Sequence, residues 1–131
     1  MRITSALLCD AANLSGDGAL NVLGAFTLLY AQEFPYVHPS MSLAIQFEFS
    51  PDDAIGEYLL TALLIDPDGA IARESHVPVV VSEPAEPGRS FRMHVTEFLD
   101  NVHHGTPGDY ELRILYQTES LAVVPYRLIR Y

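Results

Sequence analysis

The amino-acid sequence predicts an all-β fold, an immunoglobulin-like antiparallel β-sandwich of about seven to nine strands. Residues 41–49 alternate strictly between apolar and polar or small side chains, from Met41 to Phe49. This is the period of a strand with one buried face. The same period returns over residues 109–116, and turn signals recur without any sustained helical periodicity. Because no linker divides the chain, residues 1–131 are expected to form one domain.

The N-terminal half contains several short apolar segments separated by turn-forming residues. Residues 15–18, Ser-Gly-Asp-Gly, indicate a turn. Gly24 interrupts the next apolar stretch, which is either a strand pair or one strand with a bulge. Pro35 and Pro39 are expected to bracket a loop. We therefore expect early strands over 3–9, 20–23, 25–34 and 41–49.

The second half begins with a densely apolar segment, residues 58–65, which is typical of a central strand covered on both faces. Asp66-Pro67-Asp68-Gly69 predicts a tight hairpin turn after it. Pro78 favours an edge position for the partner strand. Residues 98–104 are ambiguous and could hold one short helical turn. The later strands are expected over 70–82, 91–95, 110–116 and 121–129.

The most specific local motif is Pro107-Gly108-Asp109-Tyr110, followed by alternation up to Tyr116. A turn, then a tyrosine, then alternation is how the penultimate strand of many immunoglobulin-like sandwiches begins. In those folds the tyrosine hydroxyl bonds to nearby backbone, the tyrosine corner. We therefore predict a structural role for Tyr110.

The charge balance restricts the partners. The chain has 17 acids against 7 bases, all of them arginine, for a net charge of −10. This argues against nucleic acids and anionic membranes, because phosphate binding depends on concentrated Lys and Arg. The absence of lysine excludes a Schiff-base lysine and a P-loop lysine.

Cys9 is the only cysteine, so no internal disulfide forms, and a buried, inert thiol is expected. Asp10 interrupts the first apolar run too early for a secretory signal. No stretch has the roughly 20 apolar residues of a transmembrane helix. The cytoplasm is the expected location.

The histidines and the acidic residues could each form a metal site or simply lie on the surface. His94 with His103 and His104 could gather at one end of the sheet around a metal, although adjacent histidines in a strand point to opposite faces. The acids of residues 52–57 and 66–68 lack the twelve-residue calcium loop. We therefore expect no metal and no cofactor.

An aromatic and proline-containing stretch between two predicted strands is the candidate interaction loop. It could be a recognition surface, because aromatic side chains on exposed loops often anchor partners. It could equally fold back as a lid over the open end of the sandwich, which we favour. Its residues are Tyr30, Phe34, Tyr36 and His38.

Several blocks together resemble a family of short bacterial β-sandwich proteins of unknown function. The blocks are T-S-A-L-L-C-D-A-A at 4–12, L-N-V-L-G at 20–24, E-F-P at 33–35, D-P-D-G at 66–69 and P-G-D-Y at 107–110. The resemblance implies a sandwich over essentially the whole chain and supplies no catalytic residues. Asp10 and Asn21 are polar within apolar blocks, and buried capping or turn hydrogen bonds are the expected explanation.

The predicted function is a non-enzymatic binding or assembly module acting through protein–protein contacts. The partner is another protein or a second copy, with strand pairing at an exposed edge as a natural route. The end of the chain, residues 127–131, is the candidate edge. One alternative is a small-ligand or carbohydrate-binding module using Tyr36 and Asp52. A further alternative is a metal-dependent enzyme at His94, His103 and His104.

Overall fold

A computed structural model describes residues 1–131 as nine strands without a helix. The model accordingly contains no helix able to span a membrane. The all-β prediction is therefore confirmed. The strands are β1 (Arg2–Leu14), β2 (Leu20–Ala25), β3 (Leu28–Ala31), β4 (Tyr36–Phe49), β5 (Gly56–Ile65), β6 (Ile71–Val81), β7 (Phe91–His104), β8 (Gly108–Tyr116) and β9 (Glu119–Arg130).

The strands form two sheets, ordered β2-β1-β4-β7 and β3-β9-β8-β5-β6. All neighbours are antiparallel except β3 and β9, which run parallel over four residue pairs. In immunoglobulin-like terms, β1, β4 and β7 take the places of strands A, B and E. The second sheet contains the counterparts of C, F and G as β5, β8 and β9. The chain is an immunoglobulin-like sandwich with one short parallel pair.

The core lies between the sheets and follows the alternation of the sequence. The apolar residues of β4, from Met41 to Phe49, are fully buried, as predicted from their period. Leu60 and Ile114 face them from the second sheet. Strand β5, expected to be covered on both faces, is buried on one face only, and Leu59 on its outer face is exposed.

One correction concerns the predicted loop between Pro35 and Pro39. β4 begins at Tyr36 and runs through Pro39, paired with β7 on both sides of it. Opposite this point Asn101 adopts a φ of +45°. The alternation of inward and outward side chains shifts by one residue in both strands at this point. Met41 and Leu99 point inward on one side of the kink, and His38 and Val102 point inward on the other side.

Residues 98–104 are the second correction, because they continue β7 without a helical turn. The kink at Asn101 disturbs the simple alternation, so Leu99, Val102 and His104 are buried at uneven spacing. That spacing resembles a helical pattern in the sequence. Pairing with β4 nevertheless keeps the whole segment extended.

Two predicted turn motifs are confirmed by their hydrogen bonds. The Asp66 carboxylate accepts bonds from the backbone N–H groups of Asp68 and Ala70, both at 2.9 Å, and closes the β5–β6 hairpin. The Tyr110 hydroxyl donates to the carbonyl of Thr106 at 2.6 Å, which is the tyrosine corner at the start of β8.

A hairpin arm, residues 10–25, leaves the four-stranded sheet where β1 separates from β4 after Cys9. Its tip reaches β7, at the far edge of the same sheet, where the Gly18 carbonyl and His94 Nδ1 share a hydrogen bond of 3.0 Å. His94 points outward, so the arm crosses the outer face of the sheet. Cys9, at the base of the arm, is 0% exposed, and its outward-facing partner Ser42 on β4 is 5% exposed.

Candidate functional site

The four residues of the predicted interaction loop separate into two places. Tyr36 and His38 lie on β4 and point between the sheets. Phe34 packs under the guanidinium of Arg130, 5.1 Å from its ring centre. Tyr30 on β3 is exposed and contacts the ring of Tyr131 edge-on. The expected lid corresponds most closely to Phe34, which packs against the core.

A cluster of rings at this end of the sandwich surrounds His104, whose side chain is 0% exposed. Tyr36 stacks on its imidazole, and Tyr110 meets it edge-on with ring centres 4.8 Å apart. Its Nε2 shares a hydrogen bond of 2.7 Å with the Tyr126 hydroxyl, while Nδ1 has no hydrogen-bond partner. We call Tyr36, His38, His104, Tyr110 and Tyr126 the ring cluster.

Burial sets the protonation states in the ring cluster. Desolvation lowers the pKa of His104 to about 4, and the neighbouring His38 adds to the shift. Desolvation likewise lowers the pKa of His38, although Asp10 opposes it. Burial raises the pKa of the Tyr126 and Tyr110 hydroxyls. At neutral pH these groups are uncharged and fill the space between the sheets, so the ring cluster is a polar part of the core.

The three histidines of the metal hypothesis do not come together. His94 lies ten residues before His104 on the same extended strand, which is about 33 Å. It contacts Gln46 and the tip of the arm. His103 is exposed on the face opposite to buried His104. No group of three or more His, Cys, Asp or Glu side chains is arranged to hold a metal ion.

The polar residues singled out in the sequence are also dispersed. Asp52 follows the end of β4, whereas Tyr36 begins it, so the two lie at opposite ends of the sandwich. Asp10 and Asn21 are exposed, which corrects the expectation that they are buried. Asn21 does make a turn hydrogen bond, because it donates to Ser15 Oγ at 2.9 Å, and it also donates to Asn13 Oδ1 at 3.0 Å across the arm. Gly24, at φ +67°, lies against the Asp10 carboxylate.

The edge strands β6 and β7 carry features that oppose the addition of another strand. Residues 127–130 of β9, the proposed pairing edge, are already paired with β3, which corrects that expectation. β6 is an edge strand, as Pro78 predicted. On the adjacent edges of the two sheets, Arg73 and Glu97 point inward, and Arg73 binds Asp100 across the gap. Inward charges and edge prolines are common devices against edge-to-edge association.

The outer face of the five-stranded sheet presents the side chains that sequence reasoning missed. The alternation of these residues with buried ones is visible in the sequence. It does not show, however, that the exposed residues of different strands form one surface. Leu59, Val80 and Val123 are 55%, 63% and 47% exposed. We define the apolar face as Leu59, Leu63, Pro78, Val80, Leu115 and Val123, which cross-strand pairing places on the outside of β5, β6, β8 and β9. Thr61, His76 and Arg113 point to the same side between them.

Carboxylates bracket the apolar face. Glu57 lies opposite Val80, and Glu74 lies opposite Leu63. These positions are six residues apart along β5, or about 20 Å. Both side chains point outward, and Glu74 is 3.7 Å from His76, which is charged only when protonated. The Arg113 guanidinium on the same face is bound to Glu111 at 2.5 Å.

Comparison with solved structures supports the fold and assigns no function. A β-glucosidase from Listeria innocua, solved with glucose, aligns with a TM-score of 0.50 and 16% identity. The alignment covers 80% of this chain but only 15% of the enzyme, so this chain matches a small part of it. An immunoglobulin-like protein from Pseudomonas aeruginosa aligns with a TM-score of 0.48 and 16% identity, covering 98% of this chain and 95% of that one.

No curated protein matches the sequence. A family model matches residues 4–129, which is nearly the whole chain. The chain belongs to the Family of unknown function (DUF6941).

Proposed function

We propose that this protein is a non-enzymatic binding module that contacts another protein through the apolar face. The observation that supports this is the exposure of Leu59 and Val80 on the adjoining strands β5 and β6, with Val123 exposed on β9 two strands from β5. Contiguous exposed apolar surface on a soluble domain commonly marks an interaction site. Completing the burial of these half-exposed side chains would contribute about 1 kcal/mol each.

The rest of the molecule favours a face over an edge or a cleft. The edge strands β6 and β7 carry Pro78 and the inward charges Arg73 and Glu97, which hinder backbone pairing with another chain there. His94 lies far from His103 and His104, and the buried His104 is neutral at pH 7. Catalysis needs an acid, base or nucleophile within reach of a substrate. A binding role requires only the surface that is present.

The two residues on which the carbohydrate alternative depended, Tyr36 and Asp52, do not lie together. Tyr36 belongs to the ring cluster inside the sandwich, and Asp52 lies at the other end. We also propose a cytoplasmic location, since the single cysteine Cys9 requires no oxidising compartment.

Site-specific photo-crosslinking in the native host tests the function. Benzoylphenylalanine at position 123 places the reactive group on the apolar face, and position 23, exposed on the arm, is the matched control. A protein crosslinked from position 123 and not from position 23 is then purified. Its affinity is measured by calorimetry for wild type, Leu59→Ser with Val123→Ser, and Leu23→Ser.

The expected result is a loss of affinity of roughly tenfold or more for the double variant, because a few side chains that become fully buried in the complex carry most of the binding energy of an interface. Leu23→Ser is expected to bind like wild type. Crosslinking from position 23 alone, or a double variant with unchanged affinity, would show that the apolar face is not the interface.

A further inference from the structure

The carboxylates around the apolar face indicate which kind of partner would bind there. Glu57 and Glu74 bracket the exposed strip formed by Leu59 and its neighbours. We propose that the occupant is a basic protein segment, with apolar side chains at its centre and lysine or arginine at both ends. This inference rests on the proposed function and adds the chemistry of the partner.

No arginine of the chain is paired with either of these two acids. Six of its seven arginines lie in ion pairs with carboxylates of the same chain. The seventh, Arg130, lies over the ring of Phe34. On the apolar face Arg113 is held by Glu111 and Arg127 lies 4.0 Å from Asp109. His76, charged only when protonated, is the one cationic group beside Glu74, and none is paired with Glu57. We therefore expect further positive charge opposite these acids to come from the partner.

A second copy of the chain is a poor occupant for the same reason. Two copies meeting face to face would each carry a net charge of −10. Their arginines on this face are already paired, so Glu57 and Glu74 would meet carboxylates or apolar groups. Like charges at an interface disfavour the complex, whereas complementary charges steer partners together and fix their register. The charge pattern thus favours a heterologous, basic partner.

The spacing of the acids sets the length of segment that would fit. About 20 Å separates the positions of Glu57 and Glu74 along the sheet. An extended segment covers this distance with about six residues, which gives a basic residue at each end and apolar residues between. The edges of β6 and β7 are blunted, so such a segment would contact side chains on the face and add no strand.

A synthetic peptide that alternates leucine and lysine is the probe. Its binding is measured by fluorescence anisotropy at low and high salt, with a leucine–glutamate peptide and a serine–lysine peptide as controls. The protein is wild type, Glu57→Gln with Glu74→Gln, or Glu33→Gln with Asp68→Asn. The last pair alters exposed acids outside the apolar face and leaves the same net charge. Leu59→Ser with Val80→Ser tests the apolar contribution.

We expect the leucine–lysine peptide to bind wild type roughly tenfold more tightly than either control peptide. Glu57→Gln with Glu74→Gln should weaken it by roughly fivefold, which corresponds to two exposed ion pairs. Glu33→Gln with Asp68→Asn should weaken it by less than about twofold, because screening limits distant charges. Added salt should reduce the difference between these two variants.

The possible failures are distinguishable. If Leu59→Ser with Val80→Ser leaves peptide affinity unchanged, the apolar face is not a binding surface and the proposed function fails with it. If that variant loses affinity but the two acid variants behave alike, the face binds and the basic partner is wrong. A wild-type dimer in analytical ultracentrifugation that Leu59→Ser dissociates would identify a second copy as the occupant. Thermal melts of every variant show whether the fold is retained.

Discussion

Replacing Tyr126 with phenylalanine removes the hydroxyl that is hydrogen-bonded to His104 Nε2 at 2.7 Å inside the sandwich. The imidazole is 0% exposed, and its Nδ1 already has no partner. The variant therefore leaves both ring nitrogens unpaired in a place that water does not reach. An unsatisfied buried polar group costs about 1–3 kcal/mol, and we expect Tyr126→Phe to lower the free energy of unfolding by that amount.

The magnitude can be stated as a melting temperature. An unfolding entropy of about 2.1 cal/mol/K per residue means that each kcal/mol lowers the Tm of a 131-residue domain by about 3–4 °C. Thermal melts followed by circular dichroism should therefore show a fall of about 4–11 °C. Tyr116→Phe is the control, because this half-buried tyrosine lies at the other end of the sandwich against Tyr58. We expect it to change stability by less than about 0.5 kcal/mol.

A double-mutant cycle separates the hydrogen bond from loss of packing. In a His104→Leu background the Tyr126 hydroxyl has lost its partner, so Tyr126→Phe should cost less than it does in wild type. The reasoning is refuted if Tyr126→Phe melts within about 1 °C of wild type, which is well below the smallest cost expected for an unsatisfied buried group. An equal cost in both backgrounds would likewise show that the bond to His104 is not responsible.

Three further predictions follow from the same structure. Gly24→Ala should destabilise by about 1–2 kcal/mol, because φ is +67° and the added Cβ would lie 2.9 Å from the Asp10 carboxyl carbon. Gly16→Ala, where nothing lies within 4 Å, should be nearly neutral in the same urea titrations. Tyr110→Phe breaks the tyrosine corner and should cost about 1 kcal/mol in urea unfolding; an unchanged midpoint would contradict this. Because the pKa of His104 is lowered to about 4 in the folded state, the unfolded chain takes up the proton first as pH falls below 6.5. Stability should therefore fall from pH 6.5 towards pH 4 by up to about 3 kcal/mol more in wild type than in His104→Leu, and parallel pH profiles would exclude this linkage.

Much of the fold could be predicted from local chemistry. The alternation from Met41 to Phe49 determined a strand and its buried face, since side chains of a strand point alternately to the two sides. Asp66 and Gly69 specified the β5–β6 hairpin by a side-chain acceptor and a positive φ. Tyr110 specified the corner before β8. Each of these signals depends on residues within a few positions of one another.

The candidate site was less accessible to sequence reasoning. Tyr36 and His38 were singled out as loop residues, but pairing with β7 makes them part of β4. Pro39 suggested a break because proline lacks a backbone donor, yet the strand continues with a kink. The apolar face was missed because Leu59, Val80 and Val123 lie on three different strands, and no short segment of the sequence contains them together.

The sequence by itself determined that this chain forms strands, where most of them turn, and that its surface is strongly acidic. These properties follow from side-chain period, turn chemistry and composition, which are local or additive. Only the tertiary structure decided that His104 and Cys9 are buried, and that Glu57 and Glu74 bracket an apolar surface. Each of those outcomes depends on which strands become neighbours. Strand pairing joins residues that are distant in sequence, so burial and charge at these positions are set by the partner strands as much as by the residues themselves.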